Sequence, residues 1–531
     1  MENRNQRMNV LYMLRKTVIW LAILGFAATG VAQADSPVTL QLDSLLRTGK
    51  EQIYRLDFRD AERTFRFTQR QFPEQPHGYI FEAYISALVY SMDQSNDSLA
   101  EALNRQVSKA LDVAEAFKDR NDKNPEAYFY LALGNGIDAL YHVINRSFIK
   151  GYWSGRKTKS NLEKATQLDP QYYDAYFGLG LFHYYADLLP GMLKLIAGVL
   201  GFDGDRVLGR NEVYMAASRG TFFRIEGEFM YYSIGYFLEG EKSRSIRALK
   251  QLYRKYPTNM ALGLIIAYHY RRSGYMEKCI EYCKQFDDQY SDYLPQLTNV
   301  RYYNIGVANY DLNRFEKADS LFKALENLPT RKSRYYRAAM NYYRGHIADL
   351  RFDRETAEAY YSKIPNEQQE SYWFMNAEMH RRFPMDSLQY RFFVAENMLN
   401  SRQFDKSIAA TQSLKQDLDS GQRSTNPFLQ QLVDNLLARQ YHYRRKMDEA
   451  GKLFASIYKN LDNVDDKYQQ SWLLIHYGRY LRDAKQYDRA IDIFGQAGSL
   501  DDDFTKIICE REKFVTKRQQ QNQSTEDDEE E

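Results

Sequence analysis

The sequence predicts an all-α fold, a solenoid of about ten stacked helix pairs, and three observations predict it. At 531 residues the chain exceeds what one compact core usually holds, which leaves several domains or an extended array. Only 12 Pro and 28 Gly occur over that length, 27% of residues are charged, and no Val, Ile and Thr run bounded by turn residues reads as a strand. One spacing then recurs along the chain. A small residue is followed twelve later by another small residue, four later by a large apolar one, and three later by a further apolar or small one, often with Pro beyond.

Eight stretches fit this template: Gly49, Ala61, Phe65 and Thr68; Ser233, Ser245, Leu249 and Leu252; Ala267, Cys279, Cys283 and Phe286; Gly306, Ala318, Phe322 and Leu325; Gly345, Ala357, Tyr361 and Ile364; Ala395, Ser407, Thr411 and Leu414; Ala438, Ala450, Phe454 and Ile457; and Gly478, Ala490, Phe494 and Ala497. Three more starts, around Tyr79 and Ala83, Tyr128 to Ala132, and Tyr176 to Gly180, keep the first helix and alter its partner. Two antiparallel helices approach closely only where both carry little side chain, so the two small residues mark the contact within a pair. The large residue four further on is expected to reach the next pair, and Pro marks the exit. A single pair cannot bury its apolar face, whereas a stack of pairs can.

These residues resemble the tetratricopeptide repeat, and Asp169-Pro170 followed by Tyr176, Leu179 and Gly180 is similar to that family's repeat junction. The resemblance spans roughly residues 42–500 and implies a right-handed superhelical solenoid that binds protein or peptide in its groove, without catalysis. If the first helices line that groove, the residues flanking their small positions are Tyr268, Arg271, Tyr303, Tyr310, Tyr342, Arg439, Arg479 and Arg482. Tyr and Arg combine apolar area with hydrogen bonding and suit extended peptides or glycans. The paired Lys and Asn of chaperone-binding carboxylate clamps are not found at matching positions.

Residues 188–222 interrupt the repeat. Leu189-Pro190, Leu193, Leu195, Gly201-Phe202, Gly204-Asp205-Arg206 and Gly209 resemble the signature insert of the eukaryotic tetratricopeptide repeat protein 39 and inclusion-body clearance family. That family implies an adapter-like role linked to lipid or aggregate handling. Physically, Met192, Leu193, Leu195, Ile196, Val199 and Leu200 surround a single Lys194, a face of about three helical turns. Two readings stay open, a helix folded back into the solenoid and an amphipathic contact with membrane or partner. Gly204, Asp205 and Arg206 are expected to form a turn pinned by capping and an ion pair.

The N-terminus reads as an export signal. A basic stretch ends in Arg15-Lys16, an uncharged apolar run follows from Thr17 to about Ala28, and Ala32-Gln33-Ala34 places small residues at the cleavage-determining positions. Cleavage after Ala34 is expected, an uncleaved anchor being the alternative, and departure from a cytosolic family follows from either. No Cys follows the apolar run to carry a lipid. The expected organisation is therefore a signal at 1–34, helix pairs over 35–187, the insert at 188–222, further pairs over 223–510, and a disordered acidic tail at 511–531, whose last six residues are all Asp or Glu.

Charge and motif searches point away from other classes. The formal net charge is +2, small for the length, and gives no case for a nucleic-acid partner. Residues 151–158 superficially resemble a phosphate loop, but the spacing is wrong and the Gly-Lys pair is missing. The eight His are scattered, so no metal is expected, nor any other cofactor. Cys279 and Cys283 fall in packing slots and read as buried thiols. The expectation is an exported, non-enzymatic scaffold of the periplasm or envelope of a Gram-negative bacterium that binds a protein or peptide. The alternative is an envelope assembly component that touches lipid through residues 188–202.

Overall fold

The computed structural model describes residues 37–92, 96–145, 147–187, 204–286, 294–328, 334–366, 371–500 and 503–530. The expected export signal and the apolar stretch 188–202 lie outside the described residues. Those described form 24 α-helices and one short 3₁₀ turn, with no strand among them. The chain divides into two compact units, 1–263 with 289–297, and 264–288 with 298–531.

The first unit holds five helix pairs. They are α1 (Pro37–Tyr54) with α2 (Phe58–Gln71), α3 (His77–Met92) with α4 (Asp97–Arg120), and α5 (Pro125–Ile144) with α6 (Phe148–Leu168). α7 (Ala175–Asp187) follows with α8 (Arg206–Arg219), then α9 (Arg224–Phe237) with α10 (Lys242–Lys255). The insert thus falls between the two helices of one pair, and α8 is the altered second helix. Gly180 and Gly209 let that pair close, since a methyl on either would lie 2.5 Å from the other's carbonyl oxygen. α1 also packs against the fifth pair. Tyr54 donates to Glu226 Oε1 at 2.6 Å, and Asn259 Nδ2 donates to the Tyr54 carbonyl at 2.8 Å.

The second unit holds α11 (Met260–Arg272) with α12 (Met276–Lys284), α13 (Pro295–Asp311) with α14 (Phe315–Asn327), and α15 (Arg334–Leu350) with α16 (Arg354–Tyr361). The first turns of α11 and α13 lie in the first unit. A single helix α17 (Ser371–Arg382) comes next, then α18 (Ser387–Asn400) with α19 (Phe404–Asp419), α20 (Leu429–Tyr443) with α21 (Met447–Lys459), and α22 (Lys467–Asp483) with α23 (Tyr487–Leu500). α24 (Asp503–Glu530) ends the chain.

Every template register falls on one pair, and the structure shows how the spacing works. The second small residue is fully buried in all eight registers, from Ala61 to Ala490. The large residue lies over the first small residue of its own pair. A methyl placed on Gly49 would sit 2.3 Å from Phe65, on Gly306 2.8 Å from Phe322, on Gly345 2.7 Å from Tyr361, and on Gly478 2.6 Å from Phe494. The same rings then meet the next pair: Phe65 stacks on Phe81 at 4.9 Å and Phe322 on Tyr343 at 5.1 Å. The ring therefore welds two pairs, where the spacing alone suggested contact with the next one only. Cys279 and Cys283 are both fully buried.

The turn inside each pair is equally regular. Seven residues after the first small position the backbone is left-handed in all eight registers, at Leu56, Gly240, Gly274, Asn313, Phe352, Arg402, Arg445 and Lys485. A left-handed residue after a helix lets the following amides reach back to the orphan carbonyls of the last turn. Lys485 N–H donates to the Arg482 carbonyl at 3.0 Å and Gln486 N–H to that of Leu481 at 2.9 Å, and the pairs at Asn313 and Arg445 repeat the pattern.

The chain's end corrects one expectation. α24 runs from Asp503 to Glu530, so the boundary at 510 falls inside a helix and residues 511–521 are not a disordered tail. Thr505, Cys509 and Thr516 are buried, and Glu512 accepts from Arg479 at 2.7 Å and from Arg482. Contacts on one face of α24 order a polar sequence whose composition gave no sign of a core.

Candidate protein-binding surface

The eight residues expected to line an open trough are engaged inside the second unit. Tyr303 and Tyr310 are buried in an aromatic core with Tyr335, Tyr336 and Tyr343, so their placement as docking residues is corrected. Tyr342 is half-buried and packs on Trp373 at 5.3 Å and His380 at 5.9 Å. Arg271 lies over the rings of Tyr268 and Tyr303 and donates to Asn304 Oδ1 at 2.9 Å. Arg439 pairs with Glu396 at 2.6 Å, and Arg479 and Arg482 both hold Glu512. Against the burial that would raise it, the two guanidiniums hold the Glu512 carboxyl down to about 2.

Around Tyr310 and His346 the physical cause is α18, which packs on first helices of earlier pairs. Asn397 Nδ2 donates to the Tyr310 carbonyl at 3.1 Å and to Asn313 Oδ1 at 2.9 Å, while Asn313 Nδ2 donates to the Val394 carbonyl at 3.2 Å. One turn along, Phe393 meets His346 edge-on at 4.5 Å. Tyr310 Oη lies 2.5 Å from His346 Nδ1, and the His346 and His380 rings stack at 4.1 Å. Burial drives both imidazoles to the neutral form, His380 to about 3. At the end of α13 burial pushes Asp311 up to about 7, with Arg271 opposing.

The insert turn has the expected chemistry. Asp205 caps α8 by accepting from Leu208 N–H at 2.8 Å, and Arg206 donates to Glu239 at 2.6 Å while lying over Tyr184. Gly204 packs on the backbone of Asp187, 2.1 Å from where a methyl would stand. Residues 151–158 lie inside helix α6 and form no loop. The concavities among the described residues include two of similar size. One of about 530 Å³ is lined by Glu358, Glu378, Arg381, Arg382 and Asp466, whose charges pair across it. The other, about 510 Å³, opens beside Lys50, which is buried against Glu226 and the Phe222 carbonyl.

One exposed edge of the second unit is formed by the turns within pairs. Arg402 places its guanidinium over Tyr275 at 4.7 Å and over Phe404 at 5.2 Å. Phe404 stacks on Tyr443 at 6.2 Å, and Lys278 lies over Tyr275. Tyr275 is 43% exposed and Tyr443 62%, so the strip runs across three pairs in contact with solvent. Gly274 makes the approach feasible: its φ is +82°, and any side chain would strike Arg402 and the Asn400 carbonyl. Sequence reasoning missed this strip because its aromatics occupy different offsets in each repeat. The one regular sign was Arg402, a cation at the left-handed position.

Paired helices with buried small residues at a repeated spacing define a tetratricopeptide-type helical scaffold. Residues 148–407 match the model of the Iml2/Tetratricopeptide repeat protein 39 family, so the resemblance read from the insert is shown over that stretch. No curated protein matches the chain. Among solved structures it is similar to a human IFIT1 dimer with m7Gppp-AAAA, at 14% identity over 86% of this chain and 94% of that one, TM-score 0.34. It is also similar to NprR in complex with its cognate peptide NprX, at 13% identity over 76% and 99%, TM-score 0.31. The P58(IPK) TPR domain matches at 14% identity over 81% and 99%, TM-score 0.19. Superpositions this loose set neither the curvature nor the ligand of this chain.

Proposed function

We propose that the chain is an exported, non-enzymatic adapter that binds protein segments along the turn edge of its second unit. The observation that carries this reading is the exposed strip Tyr275, Arg402, Phe404 and Tyr443. Arg and Tyr dominate the energetics of protein interfaces because each joins a flat apolar surface to directional hydrogen bonding. Here they are already stacked, so little side-chain freedom is lost on binding. The first-helix Tyr and Arg residues stabilise the unit from within instead. Export rests on the signal read in residues 1–34 and places the adapter in the periplasm or envelope of a Gram-negative cell.

A photoreactive amino acid at Tyr443 or Tyr275 in the full-length chain, expressed in its own cells, tests the surface. Adducts with one protein species are expected at both positions and none at the buried Tyr303. A chain crosslinked at neither edge position, or recovered unprocessed from the cytosol, defeats the proposal.

A further inference from the structure

The first unit carries a second exposed feature that the adapter reading does not use. In α6, Gly151, Ser154, Gly155, Thr158, Leu162 and Ala165 are buried. At the start of the helix Phe148, Ile149 and Trp153 are 46%, 76% and 54% exposed, and Ile149 and Trp153 lie on the face opposite the buried stripe. Large apolar side chains this accessible, grouped within two turns of one helix, mark a contact surface. Lys150, Arg156 and Lys157 are exposed on the same helix, and the Arg156 guanidinium lies over the Trp153 ring at 5.9 Å.

Antiparallel succession decides where this face points. The first turn of α6 lies at the end of the unit where α5 and α7 finish and α8 begins. The first turn of α8 adds Val207, 73% exposed, and Leu208, 43%. Apolar side chains from two helix starts therefore project from one end. Asp205 is the exposed acid on that turn, and Asp138 is turned inward to Ser154 and His142. The N-cap Ser147 makes no side-chain capping hydrogen bond at the start of α6, the positive end of the helix dipole.

From these placements we propose that this end of the first unit docks on an anionic lipid surface. Ile149 to Arg156 spans roughly 10 Å along the helix axis, which sets the cations at headgroup height when Ile149 and Trp153 reach the acyl boundary, about 5–10 Å deep. Lys150 has the stem length to extend back to the headgroups. Projecting apolar tips backed by cations complement a soft, negatively charged plane.

Cosedimentation of the full-length chain, freed of its signal, with phosphatidylglycerol-containing vesicles tests this. Binding is expected, with little on phosphatidylcholine alone. Ile149→Glu with Trp153→Glu lowers the partition coefficient about tenfold or more. Lys150→Glu with Arg156→Glu lowers it about fivefold per cation. All four positions are exposed, and an unchanged circular dichroism melt confirms folding; Ile149→Ser serves where it does not. Equal partition of the parent and the Ile149 variants overturns the proposal. So does a Trp153 contribution, taken as the difference from Trp153→Phe, already shielded from acrylamide without vesicles, since another part of the chain or a protein then covers this end.

Discussion

At the scale of single residues, the most consistent feature is the left-handed position seven after each first small residue. Gly occupies it at Gly240 and Gly274, but Leu56, Asn313, Phe352, Arg402, Arg445 and Lys485 carry side chains there. An L-residue in this conformation costs about 1–2 kcal/mol, against which Gly gives up about 0.5–1 kcal/mol of unfolded-chain entropy. Lys485 is exposed and its backbone amide already makes the turn's bond. Lys485→Gly is therefore expected to stabilise the second unit by about 0.5–1 kcal/mol, read as a higher urea midpoint at unchanged slope. The position was hidden in the sequence because six of eight residues there are not glycine; what enforces it is the short connection between two antiparallel helices.

At the scale of elements, the helix pair is held by a ring seated on a glycine. Gly345→Leu must displace Tyr361, whose hydroxyl donates to the buried Asp349 at 2.9 Å, and the overpacking is expected to cost about 1–3 kcal/mol. Adding Tyr361→Ala should recover part of that loss, because it opens the space the leucine needs. A neutral Gly345→Leu in thermal melts would show that the pair is not closed at this point. The pairs were legible from spacing since helix geometry fixes which residues of two neighbours can meet. The crossing of α18 was not. Its contacts, Asn397 with Tyr310 and Phe393 with His346, join residues 47 to 87 positions apart, and the helix itself obeys the same template as its neighbours. For the same reason α24 read as a tail: its ordering rests on Glu512 meeting Arg479 and Arg482, a match that composition does not reveal.

At the scale of the whole chain, the buried ionisable groups set a pH dependence. His346 and His380 are held neutral, with folded pKa values below the ordinary 6.5. A depressed folded pKa means the unfolded chain takes up protons first as pH falls, so stability is full above about 6.5 and declines below it. Asp311 acts in the opposite sense. Its folded pKa of about 7 contributes stability below about 3.8 that is lost as pH rises through 7. Three histidines held neutral, His476 included, against the raised carboxyls of Asp311 and Asp349 leave the second unit less stable at pH 5.5 than at 7.5, with His380 contributing about 1.4 kcal/mol per pH unit below about 6.5. His380→Gln is expected to flatten that slope in urea melts at the two pH values. An unchanged slope would show that the imidazole is solvated in the folded chain.

The sequence by itself determined the helical class, the eight registers, the buried thiols, the capped turn at Asp205 and the family resemblance of the insert. Each depends on residues within about one repeat of each other, where helix geometry converts spacing into contact. Only the tertiary structure decided which aromatic residues meet solvent. Tyr303 and Tyr443 are the same kind of residue on the same kind of helix, yet the rings of α15 and Arg271 of α11 enclose the first and the second is left at an open turn. Burial depends on what other segments cover, and coverage is a property of long-range packing that no local pattern encodes.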